Sequence, residues 1–188
     1  MNIVIFRHGQ TDWNVEGRLQ GSTDIPLNET GRKQALELAK RLSHYTFDAI
    51  FSSDLARALD TADAVAAGRG LIVQQDARLR ELGLGSAEGK TLKELELEYG
   101  ANPLSNYNFP GRESKESLGA RVNELVYELE NQSFKCIAIS SHGGVVWNWL
   151  SQFVDASIVG RVHNTDAFEL EWIKGKVTYK SRISNNKN

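Results

Sequence analysis

Ile3-Val4-Ile5-Phe6-Arg7-His8-Gly9-Gln10-Thr11 sets four apolar residues in front of a cation, an imidazole and a glycine. A run this short and this rich in β-branches reads as a buried strand rather than a helix, and Gly9 marks the loop that follows. The strand delivers Arg7 and His8 to its carboxyl end, which in open α/β sheets is the edge where ligands bind. A guanidinium beside an imidazole at that edge suits an anion. Taken alone, the pair also fits a solvated strand-end charge and a hydrogen-bonded loop histidine, so the neighbouring segments decide.

Working outward, Thr11 to Leu27 carries Asn14, Gly17, Gly21 and Pro26 with too little periodicity for a regular element. A connection of that length in a compact domain is usually functional, and this one is expected to border His8. A helix then begins near Asn28 or Thr30, either of which can cap it, with Ala35, Leu38, Ala39 and Leu42 at helical spacing. Phe47 to Ser53 reads as a second strand and a serine-rich turn. Asp54 is expected to cap a helix through Leu55, Ala58, Leu59, Ala62 and Val65 that stops at Gly68. Leu71-Ile72-Val73 reads as a third strand, and residues 76–90 as loop.

Leu92 to Tyr99 is a charged helix. Asn102 to Gly111, with two prolines and several asparagines, is expected to be irregular. Ser114 or Ser117 starts a long amphipathic helix with Leu118, Val122, Leu125, Val126 and Leu129 on one face. Cys136 to Ser140 is a fourth strand, and Ser141-His142-Gly143-Gly144 leads into a helix through Val145, Val146, Trp149 and Leu150. Ala167 to Trp172 and Lys176 to Tyr179 alternate around Gly175 as a hairpin. Asn185–Asn188 is a polar tail expected to fray. Alternating strands and helices specify a three-layer α/β/α architecture, with a mostly parallel central sheet and an antiparallel C-terminal hairpin. No repeat or linker divides it, so residues 1–188 read as a single domain.

Composition narrows the function. With 22 Lys+Arg against 24 Asp+Glu the net charge is −2, so no global basic field draws nucleic acid or a membrane surface, and any anion-binding cations must be concentrated locally. Cys136 is the single cysteine; it reads as a buried strand thiol, with no arginine-bearing phosphate loop after it to make it a nucleophile. Neither a leader pattern nor an apolar run of membrane-spanning length is present, which points to a cytoplasmic protein. The histidines and acids lack metal-ligand spacing such as H-E-x-x-H, which argues against a metal-dependent hydrolase, and no G-x-x-x-x-G-K-[ST] loop points to a nucleotide triphosphatase. His44 and His163 read as structural.

Two more segments repeat the first arrangement: Ser52-Ser53-Asp54-Leu55-Ala56-Arg57 and Ser140-Ser141-His142-Gly143 each follow a strand and lead toward a helix. In a parallel sheet their carboxyl ends share one edge, so Arg7, His8, Arg57 and His142 converge although distant in sequence. Two arginines and two histidines suit a tetrahedral dianion.

Several ordered motifs resemble the histidine phosphatase superfamily, the phosphoglycerate mutase-like enzymes. They are Phe6-Arg7-His8-Gly9-Gln10-Thr11-Asp12-Trp13-Asn14, Leu19-Gln20-Gly21, Asp24-Ile25-Pro26-Leu27, Gly31-Arg32-Lys33-Gln34-Ala35, Ser52 to Ala58 with Thr61-Ala62, Arg78-Leu79-Arg80-Glu81 with Glu88-Gly89, and Ser141-His142-Gly143. The resemblance implies phosphomonoester hydrolysis through a phosphohistidine on His8, acting on a small phosphorylated metabolite and needing no metal or organic cofactor. Arg7, Arg57 and His142 would hold the non-bridging oxygens, and Glu81 would be the acid and base. Asn14, Gln20, Gly21 and Gly143 match positions around the phosphate. If His8 is the nucleophile, one ring nitrogen is expected to donate to a backbone carbonyl and leave the other bare.

Glu81 has a plain alternative in ion pairs with Arg78 or Arg80. Arg112 replaces a small residue of the family pattern and either faces the substrate's distal end or is a solvated loop charge. A phosphoglycerate mutase and a non-catalytic phospho-ligand-binding relative are the alternative functions; the mutase needs extra loops to exclude water, of which the sequence shows little. Trp147, Trp149, Phe153 and Trp172 fit either core or interface, which leaves a homodimer open.

Overall fold

A computed structural model describes residues 1–184; the tail expected to fray lies outside the described residues. The chain runs β1 (Asn2–Arg7), α1 (Asp12–Glu16), α2 (Glu29–Arg41), β2 (Ala49–Ser52), α3 (Ala56–Ala66) and β3 (Val73–Gln75). After 3₁₀ turns at Ala77–Leu79 and Gly85–Ala87 come α4 (Leu92–Tyr99), α5 (Pro103–Asn106), α6 (Lys115–Glu130), β4 (Cys136–Ser141), α7 (Gly143–Leu150), α8 (Ala156–Val159), β5 (Ala167–Ile173) and β6 (Lys176–Ile183). The six strands form one sheet in the order β3-β2-β4-β1-β5-β6. The first four of these neighbours are parallel, whereas β5 pairs antiparallel with β1 and β6 antiparallel with β5.

The apolar run of β1 is continuous because the sheet is covered on both sides. Ile3 and Ile5 join Phe51, Ile137 and Ile139 on one face, under Leu118, Val122 and Leu125 of α6 and Val145, Val146 and Trp149 of α7. Val4 and Phe6 point the other way with Ile50 and Ala138, against Leu38 of α2 and Ala62 and Val65 of α3. Each such large side chain contributes about 1.5–3 kcal/mol on burial. The resulting three layers are those the alternation of elements specified. Trp149 and Trp172 are core residues whose rings stack at 6.3 Å.

Several local expectations are corrected. The segment after β1 is not wholly irregular: Thr11 accepts from the Asn14 N–H while the Asn14 side chain accepts from the Thr11 N–H, and this reciprocal cap closes the single turn of α1. Asp54 does not cap α3; it pairs with Arg80, and Asp24, from the long loop, accepts from the Ala56 N–H instead. The third strand lies two residues later than its apolar triplet. As an edge strand it takes its register from pairing with β2, which leaves Ile72 87% exposed. Pro103 starts the short helix α5 in a stretch expected to be irregular, its missing N–H costing nothing at a first turn. Cys136 is half-buried rather than buried, and burial pushes its thiol up to about 11.

Register positions the site. Arg7 lies opposite Ser141 on neighbouring parallel strands, so the next residues of each chain segment, His8 and His142, leave the sheet side by side. Ser52 lies opposite Ser140 on the other side of β4, which brings the first turn of α3, with Arg57, to the same edge. Buried serines lock these ends: Ser140 Oγ donates to the Ala58 carbonyl and Ser141 Oγ to that of Leu79.

Candidate active site

At the carboxyl edge of β1, β2 and β4 a cavity of about 230 Å³ is lined by Arg7, His8, Asn14, Arg18, Leu19, Gln20, Gly21, Arg57, Glu81, Leu82, Leu84 and Gly144. Its floor is basic and dry: His8 is 2% exposed and Arg57 fully buried; His142, also fully buried, is not itself a lining residue but packs against His8.

The tautomers of the two imidazoles follow from their partners. His8 Nδ1 lies 2.6 Å from the Gly9 carbonyl oxygen, which can only accept, so Nδ1 carries the hydrogen. Burial, then the charges of Arg7 and Arg57, hold the His8 pKa well below 6.5. The ring is neutral at pH 7 and Nε2 bears a lone pair, as expected for a nucleophile. His142 is arranged in the opposite sense. Arg57 Nε donates to His142 Nδ1 at 3.3 Å, and burial followed by Arg57 and His8 keeps this ring neutral too, so its hydrogen sits on Nε2. That buried N–H has no protein acceptor, and neither does Arg7 Nε. The rings meet edge to face with centroids 5.2 Å apart. One ring therefore offers an electron pair and its neighbour a proton.

The arginines are oriented by backbone carbonyls. Arg7 Nη1 donates to Val162 O, while Arg57 Nη1 and Nη2 donate to the carbonyls of Thr23 and Gly21. Burial lowers both guanidinium pKa values, against the opposing field of Glu81. The loop that supplies Gly21 and Thr23 is clamped by Glu88. Its carboxylate accepts from the N–H groups of Ser22, Thr23 and Leu84 and from the Thr23 hydroxyl. Gly21 has φ +52°, and any side chain there would strike Glu88, so close approach requires glycine.

Glu81 forms neither of the ion pairs its Arg-rich context allows. Arg78 pairs with Asp76, Glu124 and Glu128, and Arg80 with Asp54. Glu81 instead enters the cavity, where Oε2 accepts from the Gly144 N–H and Oε1 from those of Val145 and Leu82. A carboxylate at the start of α7 meets unpaired N–H groups and the positive end of the helix dipole.

The two amides are aimed by their acceptors. Asn14 Oδ1 takes bonds from the Thr11 N–H and from Asn164 Nδ2, and Gln20 Oε1 from the Thr11 hydroxyl, which leaves both NH₂ groups for the cavity. Sequence reasoning missed Asn164, which also donates to the His8 carbonyl. Nothing local marks it, since its partners lie some 150 residues away. Arg18, Leu19, Leu82 and Leu84 also line the cavity, and no sequence pattern assigns them a role there.

Two expectations shift. Gly143 packs against the Arg7 side chain, where a Cβ would come within 3.3 Å of it, so it makes room for that cation; its neighbour Gly144 borders the cavity. Arg112 faces neither the substrate region nor solvent alone: its Nη1 donates to Leu104 O and its backbone bridges Leu84. His163 lies near Asp166, with its side chain 62% exposed, and His44 meets the Tyr45 ring at a tilt of 39°. Among the described residues no group of three or more His, Cys, Asp or Glu is placed to hold a metal ion, and no helix is long and apolar enough to cross a membrane.

Comparison with known proteins gives a consistent result. The family model described as histidine phosphatase superfamily (branch 1) matches residues 3–184. Glucosyl-3-phosphoglycerate phosphatase of Mycobacterium tuberculosis is 35% identical over 158 residues, covering 77% of this chain and 71% of that protein. A probable phosphoglycerate mutase of Escherichia coli is 38% identical over 129 residues, 65% of this chain and 60% of that one. Among solved structures, mycobacterial glucosyl-3-phosphoglycerate phosphatase with VO3 superposes with a TM-score of 0.88 at 30% identity, covering 95% and 96% of the two chains. A putative alpha-ribazole-5′-P phosphatase from Escherichia coli superposes at 0.83 with 26% identity, covering 96% and 94%.

Proposed function

Because the chain belongs to the histidine phosphatase superfamily, we propose that it hydrolyses a small phosphomonoester through a phosphohistidine on His8, without a metal. The observation that carries this reading is the opposed pair of tautomers: a bare Nε2 on His8 beside an unpartnered Nε2–H on His142, both buried between two arginines.

The chemistry follows from that arrangement. The phosphoryl group sits in the cup with its non-bridging oxygens on Arg7, Arg57, His142 Nε2–H and the amides of Asn14 and Gln20. These donors are fixed before substrate arrives, so they stabilise the charge of the transition state without reorganising. His8 Nε2 forms a bond to phosphorus as the ester P–O bond breaks on the opposite side, and a proton from Glu81 goes to the departing alkoxide. Water then attacks the phosphohistidine, its proton returns to Glu81, and the N–P bond breaks to restore His8 and release inorganic phosphate. Gly143 serves by admitting Arg7 rather than by touching phosphate.

Release of inorganic phosphate from a panel of monoesters, with and without chelator, tests the reading, alongside interconversion of 2- and 3-phosphoglycerate. Chelator-resistant phosphate release is expected. Interconversion without release would establish the mutase alternative, and no turnover with tight ligand binding would establish a binding protein.

A further inference from the structure

Beyond the phosphate cup, we infer that the substrate's leaving group is uncharged and presents an apolar face; this rests on the phosphatase reading above and names the substrate class for that site. Glu81 marks the side on which the leaving oxygen departs. Leu82 and Leu84 follow it along the same segment, and Leu19 belongs to the same cavity wall. The three are anchored from behind. Leu82 is part of the core beside the sheet, Leu19 packs on the small cluster of Ala87, Leu95 and Phe109, and Leu84 touches both. The backbone bridge from Leu84 to Arg112, with the Arg112 guanidinium fastened to Leu104 O, holds that wall in place. It is a fixed apolar surface, not a flexible one.

A second anionic group on the leaving portion finds no cation there, among the described residues, that is not already paired. Of the basic residues lining the cavity, Arg18 is the one outside the cup. Its Nε donates to Glu16 at 2.7 Å, and its Nη1 to the Gly89 carbonyl at 2.8 Å and to Glu94 at 3.4 Å. Two carboxylates offset its single charge. A carboxylate on the leaving group would be desolvated against leucines with no unpaired cation to offset the loss. An apolar face laid on the wall gains instead: about 55 Å² removed from water is worth about tenfold in affinity.

The test compares phenethyl phosphate with 3-phosphoglycerate. Both are primary alkyl monoesters, so the basicity of the leaving oxygen does not decide the outcome. Phosphate release is expected to favour phenethyl phosphate by at least about tenfold in kcat/KM. Leu19→Gln is expected to narrow that ratio by lowering turnover of the phenethyl ester. Glu16→Gln/Glu94→Gln, which releases Arg18 yet keeps an acceptor for the cap of α4, is expected to narrow it by raising turnover of 3-phosphoglycerate about two- to fivefold. Equal or inverted preference in the parent enzyme overturns the leaving-group assignment and leaves the phosphatase reading standing. Preference unchanged in both variants overturns the assignment to this wall. No phosphate from these two esters but release from another in the panel overturns the leaving-group assignment alone; no phosphate from any ester, in protein whose circular dichroism shows it folded, overturns the phosphatase reading and the inference with it.

Discussion

Arg57 and Arg78 both reach across the fold to tie distant segments together, and they are compensated in opposite ways. Arg78 lies at the surface and is saturated with carboxylates, from Asp76, Glu124 and Glu128; chiefly through its bonds to Asp76, its pKa is raised. Arg57 is fully buried, its hydrogen bonds end on two carbonyls and an imidazole, and burial lowers its pKa. A buried cation without an anion is expensive unless something else supplies the charge. One cluster is neutralised as folded, whereas the other keeps a positive charge that, on the proposed function, the substrate's dianion would offset.

If that contrast is sound, Glu81 and Arg57 matter far more than the charges at the surface. The largest expected loss is in Glu81→Gln: about 10²- to 10⁴-fold in kcat on alkyl phosphates, and much less on nitrophenyl phosphate, whose departing oxygen needs no proton. Equal losses on the two esters would mean that Glu81 orients substrate instead of moving protons. Arg57→Ala should lower kcat/KM about 10²- to 10³-fold, with Arg57→Lys recovering only part because it keeps the charge and loses the fork. The matched change Arg78→Ala should leave turnover within about twofold and cost at most about 1 kcal/mol in urea unfolding. Similar kinetic losses at both positions would erase the distinction.

Asn164 sharpens the comparison at a smaller scale, since it aims a cup residue without belonging to the cup's floor. Asn164→Ala should lower kcat/KM by roughly tenfold to a hundredfold by releasing the Asn14 amide. Asn164→Asp should be worse than alanine, because it sets an acceptor against Asn14 Oδ1 and the His8 carbonyl, whereas a purely structural Asn164 would show equal defects in stability and no such ordering in kcat/KM. Smaller still is a pH effect on stability. Folding keeps His8 and His142 neutral, mainly by burial and then by the nearby arginines, so below 6.5 the unfolded chain binds more protons than the folded one. Their effect on stability is absent above pH 6.5 and destabilising as pH falls, by up to about 1.4 kcal/mol per histidine per pH unit. Urea midpoints at pH 7.5 and 5.5 measure it, and His142→Gln should shrink the difference.

The sheet and the convergence of Arg7, His8, Arg57 and His142 were legible because they depend on strong local patterns: continuous β-branched runs, and polar loops released at strand ends. What escaped had causes elsewhere in the chain. The apolar triplet Leu71-Ile72-Val73 misplaced β3, since an edge strand answers to its single neighbour and not to burial. Asp54 looked like a cap, yet its charge is taken by Arg80 and the role falls to Asp24, thirty-odd residues away. Ion pairing of Glu81 within Arg78-Leu79-Arg80-Glu81 was a local alternative that fell away only when both arginines were seen to pair elsewhere. The capping box at Thr11 was a local signal that went unread, because asparagine stands where glutamate is customary; the one at Thr91 and Glu94 was passed over too, without cost because Leu92 to Tyr99 was already read as a helix.

The most direct test of the reactive imidazole is to quench the enzyme in alkali during turnover of a phosphomonoester and locate the phosphoryl group by mass spectrometry and phosphorus NMR. An acid-labile phosphoryl group on His8 Nε2 is expected, formed and discharged at rates compatible with turnover. A phosphoryl group on Nδ1 or on another residue, or undiminished turnover by His8→Gln, would contradict the account.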